Sequence, residues 1–185
     1  MSIRSRHDYL EYLRADLAAN RIDRWRLYYR WKYPVVSWQR SLRRAEYHTN
    51  CSRTWIGKFR AKVLRLKTRN RGLRLGFTIP TNVFGPGLCV PHWGTIVVND
   101  AARVGANCRI HPGTCIGEVY GGTPVIGDNA YIGPGAKLYG GIVLGDNVRV
   151  GANAVVGRSF PEGHVTLVGA PARPINAPAY SPRPD

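Results

Sequence analysis

Two histidines, His92 and His111, are the side chains best suited to chemistry. Each follows closely on an aliphatic residue of a six-residue repeat, Val90 or Ile110. If these two hexads stack, both imidazoles converge on one corner of the fold, beside Trp93. A neutral imidazole in such a place can take the proton of a hydroxyl group. A corner histidine can also be an ordinary solvated residue, and the sequence alone leaves both interpretations open.

A repeat of aliphatic residues must position these histidines. Its members are Val98, Val104, Ile110 and Ile116, then Ile126, Ile132, Leu138, Leu144, Val150 and Val156, with Val168 twelve residues later. A shorter, phase-shifted run of Phe84, Val90 and Ile96 precedes them. A six-residue period does not fit the 3.6-residue turn of a helix, whereas short strands joined by glycine-rich corners accommodate it. We therefore predict a mainly β fold, a parallel β-helix of about five coils over residues 79–169.

Two departures from the period mark places where function could reside. Ten residues separate Ile116 from Ile126, which predicts an extruded loop over residues 118–123. The register also slips by two residues between Ile96 and Val98. Because the aliphatic ladder fills the interior, we expect any active site on the outside, between coils or between subunits.

Charge divides the chain into regions with different physical properties. Residues 1–77 carry 20 of the 27 Lys+Arg and 5 of the 11 Asp+Glu, a net charge of +15, while residues 78–185 carry 7 and 6, a net charge of +1. Apolar residues at helical spacing predict helices near residues 8–19, 35–47 and 53–67, with a break at Pro34. We predict a basic, aromatic-rich α-helical segment over 1–77, a β-helix domain over 78–170 and a Pro-rich tail over 171–185.

The basic segment interleaves tryptophans with cations. Trp25, Trp31 and Trp38 alternate with arginines and lysines, a mixture that can bind anionic lipid headgroups or phosphate backbones. The plainer interpretation is that the aromatic rings pack while the arginines are solvated. No nucleic-acid-binding motif is present, so nucleic acid is the least favoured partner. Contact of residues 1–77 with an anionic membrane stays open.

Apolar runs, cysteines and histidine spacing narrow the location of the protein and the kinds of site it can contain. No apolar run approaches the roughly 18 residues that span a bilayer, and the N-terminus lacks the apolar stretch of a secretion signal. We therefore expect a cytoplasmic protein, with peripheral membrane attachment as the alternative. The cysteine spacing matches no zinc pattern and predicts free thiols. His92, His111 and His164 lack the spacing of a shared metal site, so we expect no metal and disfavour a zinc carbonic anhydrase on this scaffold.

Residues 79–170 resemble the hexapeptide-repeat acyltransferases, and within them the serine-acetyltransferase-like branch found among polysaccharide O-acetyltransferases. Three runs carry the resemblance: Phe84–Asn99 (FGPGLCVPHWGTIVVN), Val125–Lys137 (VIGDNAYIGPGAK) and Val168–Arg173 (VGAPAR). The resemblance implies a left-handed β-helix, a homotrimer and acetyl-CoA or another acyl-CoA bound in the groove between neighbouring subunits.

The resemblance also assigns roles by position. It makes His92 the catalytic base. The coil count places Trp93 and His111 at the same corner, as candidates to bind the acceptor, and Asp23 is a weaker candidate to orient the imidazole. Coil-edge residues matching those along the pantetheine arm are Gly117, Pro134 and Ala152. Candidates for the CoA phosphates are Lys137, Arg149, Arg158 and Arg173, because fixed cations suit phosphates.

Two departures from serine acetyltransferases bear on the acceptor. Pro91 stands where that family has an aspartate before the catalytic histidine, and the loop over 118–123 lacks the family's Arg-His pair. Both changes remove groups that would hold a free amino acid. We therefore expect transfer to a sugar or polysaccharide hydroxyl. The alternatives are serine O-acetylation in cysteine biosynthesis, or a catalytically inactive trimeric scaffold or membrane-binding module.

Overall fold

The computed structural model describes residues 2–175, in which four helices precede a β-helix. The last ten residues of the predicted Pro-rich tail, 176–185, lie outside the described residues. The helices are α1 (Arg6–Ala19), α2 (Tyr29–Lys32), α3 (Pro34–Cys51) and α4 (Trp55–Leu75). The strands are β1 (Phe77–Thr78), β2 (Ile96–Val98), β3 (Arg103–Val104), β4 (Arg109–Ile110), β5 (Cys115–Gly117), β6 (Val125–Ile126), β7 (Tyr131–Ile132), β8 (Lys137–Tyr139), β9 (Val143–Leu144), β10 (Arg149–Val150), β11 (Val155–Val156), β12 (Thr166–Val168) and β13 (Arg173–Ile175).

The strands build three parallel sheets that form the sides of a prism. Sheet one has the order β1-β2-β5-β8-β11, sheet two has β3-β6-β9, and sheet three has β4-β7-β10-β12 followed by β13. β13 pairs antiparallel with β12, and every other pairing between neighbouring strands is parallel. Each coil contributes one segment to each side, and five coils stack. The predicted left-handed parallel β-helix of about five coils is confirmed.

The interior follows the six-residue ladder. Ile110, Ile116 and Ile132 are completely buried. In the last coil the ladder residue Val150 pairs with Leu167, which is completely buried, so Leu167 and not the predicted Val168 occupies the ladder position. Small residues such as Ala136 and Ala154 fill the inward positions at the corners. Asparagines sit at corners with positive φ, a conformation that asparagine tolerates better than most residues. Three of them form a column of hydrogen bonds along the outside of the prism: the Asn107 side chain donates to that of Asn129 (3.0 Å), and Asn129 donates to Asn147 (3.2 Å).

The register slip lies at a different place from the one predicted. Val97 pairs with Cys115, so Ile96 stacks on Thr114 and occupies the inward corner position rather than a ladder position. Val90 stacks on Ile110, since its neighbour Cys89 pairs with Arg109. The chain takes eight residues from Val90 to Val98 but six from Ile110 to Ile116. The two extra residues therefore lie in the corner that carries His92, not between Ile96 and Val98.

The predicted loop over residues 118–123 is present. It forms a small hairpin closed by an antiparallel bridge between Val119 and Gly122. Tyr120 is fully exposed at its tip. The ten-residue interval in the repeat is therefore accommodated on the outside of the prism.

The helical segment confirms the predicted helices with longer bounds. α3 begins at Pro34, which suits the first turn of a helix because proline lacks a backbone N–H. Trp38 of α3 is buried against Phe77 of β1, with ring centroids 4.9 Å apart. Other aromatic side chains stay exposed, including Trp31 and Trp55. No helix within residues 2–175 is long and apolar enough to cross a membrane.

Candidate active site

The corner between sheets three and one brings the two histidines together. We call residues 91–95 and 111–114 the histidine corner. As the coil count predicts, the hexad of Val90 stacks on that of Ile110, and the imidazole centroids of His92 and His111 lie 6.4 Å apart. Trp93, also exposed, follows His92 directly. The predicted convergence of the two rings is therefore observed.

His111 is held in its neutral form. Burial lowers the pKa of His111, and the charge of Arg109 and the neighbouring His92 lower it further. Arg109 Nε donates a hydrogen bond of 3.3 Å to His111 Nε2. An arginine can only donate, so Nε2 is unprotonated and the ring carries its proton on Nδ1. The ring also packs on Tyr131 at a centroid distance of 5.1 Å.

His92 is exposed to solvent on the outside of the first coil. Asp23, the candidate to orient its imidazole, is exposed in the turn after α1. Within residues 2–175 no hydrogen bond or ion pair joins Asp23 to His92. Within one protomer, therefore, no contact supports the predicted role of Asp23 in orienting the His92 imidazole.

A column of outward side chains runs beside the histidine corner on sheet three. Arg109 pairs with Tyr131, which pairs with Arg149 on the next coil. The guanidinium of Arg149 lies 4.8 Å from the Tyr131 ring centroid. The hydrogen bond between Arg109 and His111 was not predicted, although the alternation of side chains along a strand points to it. Arg109 and His111 stand on either side of the buried ladder residue Ile110, so both side chains point outward from the same segment and can meet.

The predicted donor-binding residues do not all share one edge of the prism. Pro134 and Ala152 occupy the same corner as His92, two and three coils further along. The Lys137 ammonium donates to the Gly113 carbonyl oxygen in the histidine corner. Gly117, Arg158, Arg149 and Arg173 lie elsewhere: the first two at the corner after sheet one, Arg149 on sheet three and Arg173 on β13. Within one protomer the predicted set is therefore divided between edges.

A cavity of about 430 Å³ opens beside the histidine corner. Pro91 and Trp93, the residues on either side of His92, line it together with residues of the turn after α1 and the start of α3. Its other lining residues are Ala19, Asn20, Arg21, Ile22, Lys32, Tyr33, Pro34, Val35, Val36, Cys89, Val90 and Arg109. A larger groove of about 1130 Å³ lies between α4 and the first coils, and none of its lining residues belongs to the histidine corner.

The four cysteines are free thiols, as predicted. Cys108 fills an inward position, and burial raises the pKa of its thiol well above the usual range. No group of three or more histidines, cysteines or carboxylates among the described residues could hold a metal ion.

Known proteins resemble this chain in sequence and in structure. A family model described as bacterial transferase hexapeptide (six repeats) matches residues 123–158. Serine acetyltransferase of Synechococcus elongatus is 35% identical over 127 residues, which cover 65% of this chain and 52% of that protein. Serine acetyltransferase of Helicobacter pylori strain J99 is 37% identical over 100 residues, covering 52% of this chain and 58% of that protein. The chain spans about half the length of the curated relatives it matches.

Solved structures of serine acetyltransferases share the architecture of helices followed by a β-helix. The soybean apoenzyme aligns with a TM-score of 0.71 at 28% identity, covering 91% of this chain and 69% of that chain. The enzyme from Brucella abortus aligns with a TM-score of 0.66 at 27% identity, covering 92% and 70%. Together with the six-residue ladder and the five stacked coils, these likenesses show that the chain contains the hexapeptide repeat of bacterial transferases and has the β-helix fold of the serine acetyltransferases it resembles.

Proposed function

We propose that this protein transfers an acetyl group from acetyl-CoA to a hydroxyl group, with His92 as the general base. The observation that carries the proposal is the exposed imidazole of His92 at a β-helix corner, 6.4 Å from a second, neutral imidazole. The scaffold is that of proteins named serine acetyltransferases.

The chemistry needs a base and a place for the acyl donor. The His92 imidazole removes the hydroxyl proton as the oxygen attacks the thioester carbonyl, and the thiolate of CoA leaves and is protonated. A positioned base of this kind contributes about 10²–10⁴-fold. Because His111 is neutral, it places no positive charge against the imidazolium that forms at His92. A backbone N–H at the coil edge would stabilise the oxyanion.

The acyl donor would lie in a groove between neighbouring subunits of a homotrimer. Residues at the edge that carries His92, including Pro134, Ala152 and Lys137, would face the pantetheine arm and phosphates from one subunit. Gly117 and Arg158, which lie at the next edge, would reach the same groove from a neighbouring subunit. Division of the predicted donor-binding residues between two edges is compatible with a groove that two protomers line.

Two acceptors remain, each supported by a different observation. The relatives' names favour L-serine, the alternative prediction. The chemistry of the site favours a saccharide hydroxyl, because the serine ammonium group needs a carboxylate partner. Pro91 precedes His92, the hairpin over 118–123 carries no Arg-His pair, and no Asp or Glu is among the residues known to line the adjacent cavity. We infer that the acceptor is a saccharide.

The helical segment supports a further part of this proposal, a contact with anionic membrane. α4 exposes large apolar side chains at Trp55, Phe59, Leu66 and Leu73, a spacing that returns to one helix face. Exposed cations flank this stripe on both sides: Lys58, Lys62, Arg65 and Arg69 on one, and Arg60, Lys67 and Arg74 on the other. α4 contains no acidic residue. An apolar stripe between two rows of cations matches an anionic lipid surface, and the cations oppose self-pairing of this face.

Replacing His92 tests the proposed reaction. We expect His92→Gln to lower the rate of CoA release with a hydroxyl acceptor by about 10²–10⁴-fold, and to leave the circular dichroism spectrum unchanged because the side chain is exposed. His7→Gln in α1, also exposed, is the matched control and should keep full activity. The assay compares L-serine, neutral sugars and acidic sugars. Full turnover in His92→Gln would remove His92 from the mechanism.

A further inference from the structure

The cavity beside the histidine corner has an unusual charge balance. Arg21, Lys32 and Arg109 are among its lining residues, and none of those residues is an aspartate or glutamate. The three cations come from three places: the turn after α1, the end of α2, and β4 on the β-helix. A cavity walled by cations from separate elements concentrates positive potential at its centre.

Two of these cations are held in place by neighbouring groups. The Lys32 ammonium lies 5.3 Å from the Tyr33 ring centroid, and Tyr33 also lines the cavity. Arg109 Nε donates to His111 Nε2 at 3.3 Å, and its Nη1 lies 3.7 Å from the Cys89 sulfur. Neither contact is with a carboxylate, so the charge of both cations remains available to an anion.

The cavity opens next to His92, the proposed base, which is not itself among the lining residues. Pro91 and Trp93 line it, and His92 stands between them in the chain. The Trp93 side chain is 68% exposed, which makes its ring available for stacking against a sugar. Arg109 lines the cavity and bonds His111, so it links the cavity wall to the histidine corner.

We infer that the acceptor is a hydroxyl compound that carries a fixed negative charge, a phosphate or a carboxylate, which the cavity binds while His92 receives the hydroxyl proton. This inference rests on the proposed O-acetyl transfer. A sugar phosphate and a uronic acid share the required chemistry. Free L-serine also carries a carboxylate, but its ammonium group would face the cations of the cavity, and no Asp or Glu is among the lining residues.

Three acceptors with a common ring test the inference: methyl glucoside (neutral), methyl glucuronoside (a carboxylate) and glucose 1-phosphate (a phosphate). The full-length protein is assayed with acetyl-CoA at low salt. A charged hydrogen bond supports a preference of about tenfold or more in kcat/KM for at least one anionic acceptor over the neutral one. The two anionic acceptors distinguish phosphate from carboxylate recognition.

Lys32→Gln should lower the ratio of kcat/KM for the anionic acceptor to that for methyl glucoside by about tenfold. Arg14→Gln removes one exposed cation from α1 outside the cavity and should keep this ratio. The KM for acetyl-CoA is measured in each variant, because CoA phosphates are anions as well. Calorimetry with glucose 1-phosphate alone measures binding without turnover, and Lys32→Gln should weaken that binding by a similar factor.

Equal use of anionic and neutral acceptors, or a preference for L-serine over both anions, would overturn the inference. So would a Lys32→Gln variant in which the KM for acetyl-CoA rises while the acceptor ratio stays constant. If no hydroxyl compound is acetylated, the proposed function fails, and calorimetry still decides the anion site. Saturable binding of glucose 1-phosphate weakened by Lys32→Gln supports it, and no binding refutes it.

Discussion

The β-helix and the helical segment differ in charge and in sequence regularity. The β-helix is nearly neutral and repeats one local solution, a buried aliphatic side chain every six residues. The helical segment carries almost all of the net charge and has no repeat. The histidines stand on the regular part, and two of the three cations of the adjacent cavity come from the irregular part. A rigid repeat can thus position a base while an appended segment supplies positive charge beside it.

A buried ionic network joins the two regions. Arg43 of α3 is completely buried and pairs with Asp16 of α1 and with Glu46. Its guanidinium also donates to the carbonyl oxygens of Phe84 and Gly85 in the first coil, at 2.8 and 2.6 Å. Burial alone would lower the pKa of Arg43, but the two carboxylates raise it above its ordinary value. The arginine therefore stays charged and holds helices and β-helix together.

Breaking this network is expected to have the largest effect on stability. Arg43→Met leaves the buried carboxylates of Asp16 and Glu46 without their partner, which typically costs about 3–5 kcal/mol. Urea unfolding followed by circular dichroism measures the change in the free energy of unfolding. Arg44→Met is the matched control because Arg44 is exposed, and it should cost no more than about 0.5 kcal/mol. Equal losses in both variants would mean that the network does not join the two regions.

The surface of α4 offers a second test of the contrast between the regions. The double variant Trp55→Ser, Phe59→Ser removes two exposed aromatic side chains from the apolar stripe. We expect binding to vesicles containing phosphatidylserine to fall by at least about tenfold, since burial of one large apolar side chain contributes about 1.5–3 kcal/mol.

Sedimentation with vesicles measures that binding, and added salt should weaken it through screening of the lysines and arginines. Tyr120→Ser, in the exposed hairpin of the β-helix, is the control and should leave vesicle binding unchanged. Wild-type binding that is equal for neutral and anionic vesicles would contradict the proposed contact.

The smallest expected effect concerns the pH dependence of stability. The pKa of His111 is lowered in the folded protein by burial and by Arg109 and His92, so the unfolded chain binds the proton more readily. The stability that this histidine contributes is present above its unfolded pKa and is lost as the pH falls below it. We expect the melting temperature of His111→Gln to change less than that of the wild type between pH 7 and pH 5. A parallel change in both proteins would contradict the lowered pKa.

At the histidine corner, the six-residue spacing predicted which hexads stack but not where the two extra residues lie. The spacing of Val90 and Ile110 predicted that their hexads stack, and the two imidazoles meet as expected. The position of the slip was wrong because Ile96 and Val98 are both buried aliphatic residues. A ladder residue and a corner residue look alike when both point inward. Only the pairing of Val97 with Cys115 shows which of them belongs to the ladder.

In the helical segment, the spacing of apolar residues predicted the helices but not which of their side chains are buried. Three helices were predicted from apolar spacing, yet the spacing did not show that Trp38 would be buried and Trp55 exposed. Burial of a helix face depends on which neighbour covers it, and that neighbour lies far away in the chain. The charge at Arg109 was visible as a residue, but its bond to His111 depends on the outward geometry of a strand.

By itself the sequence determined the β-helix, its coil number, the extruded hairpin and the meeting of His92 with His111, because a fixed period converts residue number directly into position. The tertiary structure alone decided the location of the extra corner residues, the buried Arg43 network, the exposed stripe of α4 and the cationic cavity. Each of these arises where segments without a common period pack against one another, and such packing is set by long-range contacts.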